Sequence, residues 1–389
     1  MTPAARYAAA IEILGEIFTG APAERVLTGW SRGHRFAGSK DRAAIRDHVF
    51  DVLRARRTLS ALGGAEDDAR AAVLGLLRRD GIAPETVFGA GGYAPAALTE
   101  AEAAAEFLPQ TEAARADLPE WLWPEWQASL GEAAFAVADL QRQRAPVTVR
   151  VNLSEVSRDE AAVRLGAEGI DTAPVDLVEA ALRIVSNPRR LATSETYRAG
   201  LVELQDAASQ AAVARLVPLA RGRVLDYCAG GGGKALALAD RTDAAIFVHD
   251  VDPARMADLP ARAARAGVRL SALATEAVPQ AAPFDLVLCD APCSGSGTWR
   301  RTPDAKWRLT SARLAELQSL QSEILAKAVP LVRPGGHLAY ATCSVLRGEN
   351  GSRVAELRAA HPELVEIDRM QLSPAPENDG FYLSVLRKH

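Results

Sequence analysis

The sequence predicts an α/β protein: a doubly wound, parallel sheet over the C-terminal half, preceded by a helical N-terminal domain and a small α+β subdomain. Three observations carry this. From about Leu201 onward, apolar strand-like runs (GRVLDYCA, AAIFVHD, FDLVLCDAP, GGHLAYATCS) alternate with helical stretches, as in sheets buried on both faces. Residues 1–75 place apolar side chains at helical spacing, with no strand alternation. At Pro146 the pattern changes to the alternating VTVRVNLS, followed by a helix in SRDEAAVRLGAEG. A length of 389 residues also exceeds one ordinary domain of ~150, so several folding units are expected.

Taken in order, the expected parts are a helical region at 1–75, a linker and helical connector at 76–145, the α+β subdomain at 146–206 and the sheet domain at 207–389. In the first, eight basic residues from Arg32 to Arg57 (Arg32, Arg35, Lys40, Arg42, Arg46, Arg54, Arg56, Arg57) face three acids, Asp41, Asp47 and Asp51. That excess suits an RNA contact as well as a solvated face with ion pairs. Residues 81–96 (GIAPETVFGAGGYAPA) read as a linker. Behind them Glu100, Glu102, Glu106, Glu112, Asp117 and Glu120 oppose a single Arg115.

Charge and composition exclude several classes. The total of 45 Lys plus Arg against 49 Asp plus Glu, a formal charge of −4, speaks against a general polyanion binder, yet residues 98–120 hold the acid and the remainder sums to +1. Forty of the 45 bases are Arg, whose planar fork suits phosphates and base stacking, although an Arg- and Ala-rich chain also fits a GC-rich coding sequence. No apolar run approaches the ~20 residues of a membrane span, and Glu12 and Glu16 interrupt any secretory signal. A cytoplasmic, membrane-free protein is expected. Four cysteines in this length make no disulfide scaffold, and they lack the spacing of a metal site.

The first strand of the sheet runs into Asp226-Tyr227-Cys228-Ala229-Gly230-Gly231-Gly232-Gly233-Lys234 and then a helix. Consecutive glycines let the backbone approach a ligand closely, but a tight strand-to-helix turn needs them too. Ala235 follows Lys234, so there is no phosphate-loop Lys-Ser/Thr pair, and an adenosine-type cofactor fits better. Asp250, ending AAIFVHD, is placed to accept hydrogen bonds from ribose hydroxyls, whereas Asp252 also reads as a helix cap. These features indicate S-adenosylmethionine or a dinucleotide.

Two cysteines decide between them. Cys293 follows one apolar strand in Asp290-Ala291-Pro292-Cys293-Ser294-Gly295-Ser296-Gly297-Thr298, and Cys343 follows the next in Tyr340-Ala341-Thr342-Cys343-Ser344. If the strands are neighbours, both thiols lie at one sheet edge. Pyrimidine C5 is too weak a nucleophile to be methylated directly. A thiolate added at C6 makes C5 enamine-like, which is covalent catalysis by an activated cysteine. Cys228 and Cys289 read as small buried hydrophobes.

With these residues in view, the run from Leu118 to Lys388 resembles the Nop/Sun family of RNA 5-methylcytosine methyltransferases, in five ordered motifs: LDYCAGGGGK, HDVD, DAPCSGSGTWRRTPDAKW, PGGHLAYATCS and DGFYLSVLRK. The resemblance implies a class I (Rossmann-like) methyltransferase domain using S-adenosylmethionine on RNA, ribosomal RNA above all, with no metal. It implies Cys343 as the nucleophile, Cys293 as the aid to product release and Asp290 as the contact to the cytosine edge. Cofactor contacts would fall on Cys228, Ala229, Gly230, Gly231, Gly232, Gly233, Lys234, Asp250 and Asp290. Two departures stand out: Gly230-Gly231 replaces the usual Ala-Pro, and Thr275, beside Glu276, occupies the place of an adenine-side acid.

The segment GSKDRAAIRDHVFDVLRARRTL is similar to part of the NusB-like RNA-binding domain of bacterial ribosomal RNA enzymes. The subdomain at 146–206 resembles the family's RNA-contacting module, with Arg183, Arg189, Arg190 and Arg198 as phosphate contacts. Trp299, Arg300, Arg301, Lys306 and Trp307 form either a platform for an unstacked base or ordinary core. A monomer is expected. The competing readings are a non-catalytic RNA-binding assembly factor with a vestigial methyltransferase fold, and 5-methylcytosine formation in tRNA.

Overall fold

The computed structural model describes residues 1–105 and 107–389; Glu106 of the acidic stretch lies outside the described residues. The chain divides into two compact units, Met1–Arg144 with Trp299–Ser311, and Ala145–Thr298 with Ala312–His389.

The first unit is helical. Helices α1 (Pro3–Phe18), α2 (Ala23–Gly33), α3 (Ser39–Arg54), α4 (Arg56–Leu62) and α5 (Ala69–Arg79) bury one apolar stripe each. Thr2 caps α1 by accepting from the Ala5 N–H at 3.2 Å, and Pro3 opens it where no N–H is needed. Tyr7, Ile13, Leu14 and Ile17 of α1 meet Ile45, Val49 and Leu53 of α3 in one core. The 81–96 segment is no free linker, because Val87 and Phe88 are buried in this same core.

Long-range pairing also revises the charge reading. Arg54 and Arg56 of the basic run are buried, and Arg57 and Arg142 bind acids of the 98–120 stretch. Buried Asp117 accepts from the Arg57 N–H and the Thr58 N–H, both at 2.9 Å, and from Arg142 at 2.6 Å. Glu102 pairs with Arg70 at 2.6 Å. Three of the acids that stood against a single Arg115 in sequence, Glu102, Asp117 and Glu120, therefore meet arginines distant in the chain. Arg32, Arg35, Lys40, Arg42 and Arg46 stay exposed, the last paired with Glu24.

Much of the proposed base platform is core. Trp299 stacks on Trp126, with ring centroids 5.7 Å apart, and its neighbour Arg300 is buried with it. Arg54 Nε donates to the Arg300 carbonyl at 2.9 Å, and Trp307 Nε1 donates to the Leu53 carbonyl at 2.7 Å. Lys306 is buried as well; only Arg301 of the five is exposed.

The second unit contains two sheets. Strands β1 (Val147–Val151), β2 (Thr172–Pro174), β3 (Ala181–Ile184) and β4 (Val202–Leu204) form an antiparallel sheet in the order β2-β3-β1-β4. The helix Arg158–Ala167, capped by Ser157, buries Ala161 and Leu165 against Val149, Val151 and Leu182. Arg189, Arg190 and Arg198 are exposed on this module, and Arg183 faces Glu377 at 3.7 Å.

The larger sheet holds β5 (Arg223–Asp226), β6 (Ala245–Val248), β7 (Ser271–Ala272), β8 (Phe284–Asp290), β9 (Val332–Thr342), β10 (Leu364–Leu372) and β11 (Phe381–Lys388), ordered β10-β11-β9-β8-β5-β6-β7. Strands β5 to β9 run parallel, and their apolar residues fill cores on both faces, as doubly wound sheets require. Strands β10 and β11 are antiparallel, so the sheet is mixed. The sequence reading passed over β10 (LVEIDRMQL), whose edge position leaves alternate residues polar. No helix among the described residues is long and apolar enough to cross a membrane.

Candidate active site

The site lies where the chain leaves the parallel strands, the usual place for ligands in such sheets. Strand β5 ends in Asp226, and residues 227–232 turn into the helix Gly233–Ala239. Gly230 and Gly232 have φ of +51° and +74°, and a Cβ on Gly232 would come within 2.2 Å of Leu259 Cδ1. The turn thus depends on glycine for both backbone angle and space.

Asp250, two residues beyond the last Cα pair of β6, braces this loop. Its carboxylate accepts from the Gly230 N–H at 2.9 Å and the Asp252 N–H at 3.0 Å, and Arg255 lies 3.1 Å away. Asp252 caps the next turn, accepting from the Ala254 N–H. Tyr227 and His249 stack with centroids 4.8 Å apart. With His249 Nδ1 donating to the Tyr227 carbonyl at 2.8 Å, its Nε2 accepts from the Thr275 hydroxyl at 3.1 Å. Thr275 is thereby brought to the loop and already engaged by the ring.

Beneath the loop lies a charged trio. Lys234 Nζ meets Asp290 Oδ2 at 2.5 Å. Burial opposes the Lys234 ammonium, but Asp290 and then Asp226 hold its pKa above the usual lysine value. Asp226 is fully enclosed; burial, reinforced by the Asp290 charge, pushes it up to about 7. Its Oδ1 has no hydrogen-bond partner among the described residues. A glycine cradle, a braced carboxylate and an unsatisfied buried oxygen fit an adenosine-type group with a cationic tail. Cys228 to Lys234, Asp250 and Asp290 are the residues placed to hold one.

The two cysteine loops meet because β8 and β9 are adjacent and parallel, with Asp290 opposite Ala341. The Ala291 N–H donates to the Ala341 carbonyl at 3.0 Å, and two residues farther on Cys293 and Cys343 bring their sulfurs to 3.4 Å. The pair is unequal. The hydrogen bond from Cys293 draws the Cys343 thiol below its ordinary value, more than burial and Asp290 raise it, and Lys234 adds to the lowering. Cys293 is driven well above it by that same bond, by burial and by the Cys343 and Glu349 charges. Of the two, charge is therefore favoured on Cys343 and the proton on Cys293. Burial, with the nearby Asp226 and Asp290 charges adding to it, raises both Cys289 and Cys228, so neither is an activated thiol. Among the described residues no group of three His, Cys, Asp or Glu is placed to hold a metal ion.

Sequence reasoning missed the groups behind this pair. Glu349, fully buried, touches both loops; its only signal was a position six residues past Cys343, in a turn with no recognised motif. Arg255 and His249, which organise Asp250 and Thr275, were also overlooked.

Comparison with known proteins converges on one family. A model described as 16S rRNA methyltransferase RsmB/F matches residues 213–387, and an RsmF/B-like ferredoxin-like domain matches residues 118–190. The ribosomal RNA small subunit methyltransferase B of Citrobacter koseri is 33% identical over 298 residues, spanning 73% of this chain and 69% of that protein. Among solved structures, PH0851 is similar over 100% of this chain and 99% of its own, with a TM-score of 0.76 and 23% identity. A methyltransferase homologue from Pyrococcus horikoshii covers 71% of this chain and 97% of its own at a TM-score of 0.61 and 24% identity, a likeness of fold. The family model and the Citrobacter koseri relative agree: the chain belongs to the 16S rRNA methyltransferase RsmB/F family.

Proposed function

We propose that this methyltransferase uses S-adenosylmethionine to form 5-methylcytosine in ribosomal RNA, with Cys343 as the nucleophile. The observation that carries the reading is the polarised pair, Cys293 and Cys343, with sulfurs 3.4 Å apart beside the Lys234–Asp290 ion pair. When bound, S-adenosylmethionine supplies an electrophilic methyl group on a sulfonium. The Cys343 thiolate adds to C6 of the cytosine, forming an Sγ–C6 bond and shifting the C5–C6 π electrons so that C5 becomes nucleophilic. Held by residues 228–234 and Asp250, the cofactor would supply its methyl group to this C5 and leave as the neutral thioether. Loss of the C5 proton then re-forms the C5–C6 double bond, and the Sγ–C6 pair returns to Cys343; Cys293 assists this elimination. Asp290 contacts the cytosine edge, held by its ion pair with Lys234. Asp250 and residues 228–234 hold the cofactor, and Thr275 acts on its adenine side through His249.

The cytosine must leave any stack to reach a buried thiolate, so a single-stranded or extruded base is the substrate form. RNA is held by local arginine patches: Arg32, Arg35 and Arg42 on the NusB-like helical region at 1–75, and Arg189, Arg190 and Arg198 on the module at 146–206, with the sheet domain at 207–389 supplying the chemistry. The enzyme acts as a monomer in the cytoplasm. The test is methyl transfer from labelled S-adenosylmethionine to ribosomal RNA by the full chain. Label at C5 of cytosine, lost in Cys343→Ala, supports the reading; undiminished transfer by that variant removes Cys343 as nucleophile.

A further inference from the structure

The residue after each cysteine is a serine, and both serines end on one buried carboxylate. Glu349 Oε2 accepts from Ser294 Oγ and from Ser344 Oγ, each at 2.5 Å. Its Oε1 accepts from the Ser294 backbone N–H at 2.8 Å and from Gln321 Nε2 at 3.1 Å. The same Gln321 amide donates to the Pro292 carbonyl at 2.9 Å, so the Cys293 loop is gripped on both sides of the cysteine. Glu349 is itself held: the Tyr340 hydroxyl, from β9, donates to its carbonyl at 2.5 Å. Four donors saturate the carboxylate, and its side chain reaches no solvent. Burying a carboxylate is costly unless its oxygens are satisfied, and the groups that satisfy it belong to the two cysteine loops.

We propose that Glu349 is a positioning residue for the paired-cysteine site: its carboxylate ties the two loops together and fixes which sulfur faces which. This rests on the reading of Cys343 and Cys293 given above. A carboxylate is required because it only accepts. The hydroxyls that donate to it leave their oxygens free to receive backbone N–H groups, Ser344 Oγ from Leu346 at 3.0 Å and Ser294 Oγ from Ser296 at 3.3 Å, and these bonds close each loop behind its cysteine. The carboxylate's charge also adds to the rise at Cys293 that the Cys343 hydrogen bond and burial dominate. In Glu349→Gln one oxygen becomes an amide that donates, so two of the four bonds are lost while size is kept.

The test has two readouts on the full chain. In the first, iodoacetamide under single-hit conditions, with peptide mass spectrometry, gives the ratio of alkylation at Cys343 to that at Cys293 between pH 6 and 9. Wild type alkylates Cys343 faster at the acid end; in Glu349→Gln the ratio collapses toward one. In the second, methyl transfer falls about 10- to 100-fold in kcat, the scale of an ångström-level misplacement of a reacting group, while KM for S-adenosylmethionine stays within about twofold. A lowered melting temperature with wild-type alkylation ratio and kcat means Glu349 is structural only and overturns the proposal. If wild type transfers no methyl to cytosine but the ratio still collapses in the variant, the assigned reaction fails and the positioning role stands. Should Glu349→Gln not fold, Ser294→Ala and Ser344→Ala each remove one tie; a wild-type ratio in both overturns the proposal.

Discussion

Cys293 and Cys343 place their sulfurs 3.4 Å apart across two neighbouring parallel strands, close enough to share one proton. Two thiols at this distance cannot both ionise, since the second charge would be repelled by the first. The surroundings break the tie: the Lys234 ammonium favours charge on Cys343, and Glu349 disfavours it on Cys293. In the proposed mechanism, attack and elimination are thereby divided between two residues of the same chemistry.

The pH dependence of methyl transfer follows from this. Because the Cys343 thiol is lowered from its ordinary value, chiefly by the Cys293 hydrogen bond, the thiolate is present at lower pH and the acid limb of the kcat/KM profile lies below the value of a free cysteine. Cys293→Ala removes the donor, so the limb moves to higher pH, and a denaturation-resistant protein–RNA adduct accumulates because elimination is slowed. An unmoved acid limb in this variant, measured from pH 5.5 to 9, contradicts the shared proton.

Asp226 makes a stability prediction. Its folded pKa is pushed up to about 7 from 3.8, by burial first and Asp290 second. Between those values the unfolded chain has released the proton and the folded one retains it, so this group lowers stability as pH rises through that window and adds no further slope above it. Asp226→Asn removes the slope. Melting temperatures of the two proteins should diverge from pH 4 to pH 7 in favour of the variant; parallel curves would show that Asp226 titrates normally.

Lys306 tests the reassignment of the tryptophan-flanked segment from base platform to core. It is buried, donates to the Arg54 carbonyl at only 3.4 Å, and burial lowers it to about 8. Lys306→Met keeps the volume and removes a desolvated charge, so the melting temperature is unchanged or rises at pH 7. RNA affinity in a salt titration stays the same, with the same slope. A weaker, shallower-slope variant would make Lys306 an RNA contact instead.

Gly297 lies where the Cys343 loop crosses the chain before β11. Its N–H donates to the Cys343 carbonyl at 2.9 Å, and its carbonyl accepts from the Gly380 N–H at 2.9 Å. A Cβ there would come within 2.6 Å of the Gly380 carbonyl oxygen and 2.8 Å of the Cys343 carbonyl oxygen, backbone atoms with no room to yield. Gly297→Ala should cost about 1–3 kcal/mol of stability, as overpacking does, and lower kcat more than KM. Urea titration beside single-turnover kinetics measures both; wild-type values in each would mean the loops are loosely held.

What the sequence by itself determined was the local chemistry. Strand–helix alternation gave the doubly wound sheet, glycines at 230–233 marked the tight strand-to-helix turn, and the contexts of Cys293 and Cys343 singled out two strand-end thiols, because each of these signals lies within a few consecutive residues. Tertiary structure alone brought the two sulfurs to hydrogen-bond distance and so biased charge toward Cys343, with Lys234 and Glu349 adding to the bias from other elements. It alone showed Arg54, Arg56 and Lys306 to be buried and Asp117 to be saturated by Arg57, Thr58 and Arg142. Composition counts charges but not their partners. An ion pair between residues far apart in the chain leaves no periodic trace, and a carboxylate such as Glu349 reveals its task only when folding closes the two loops it holds.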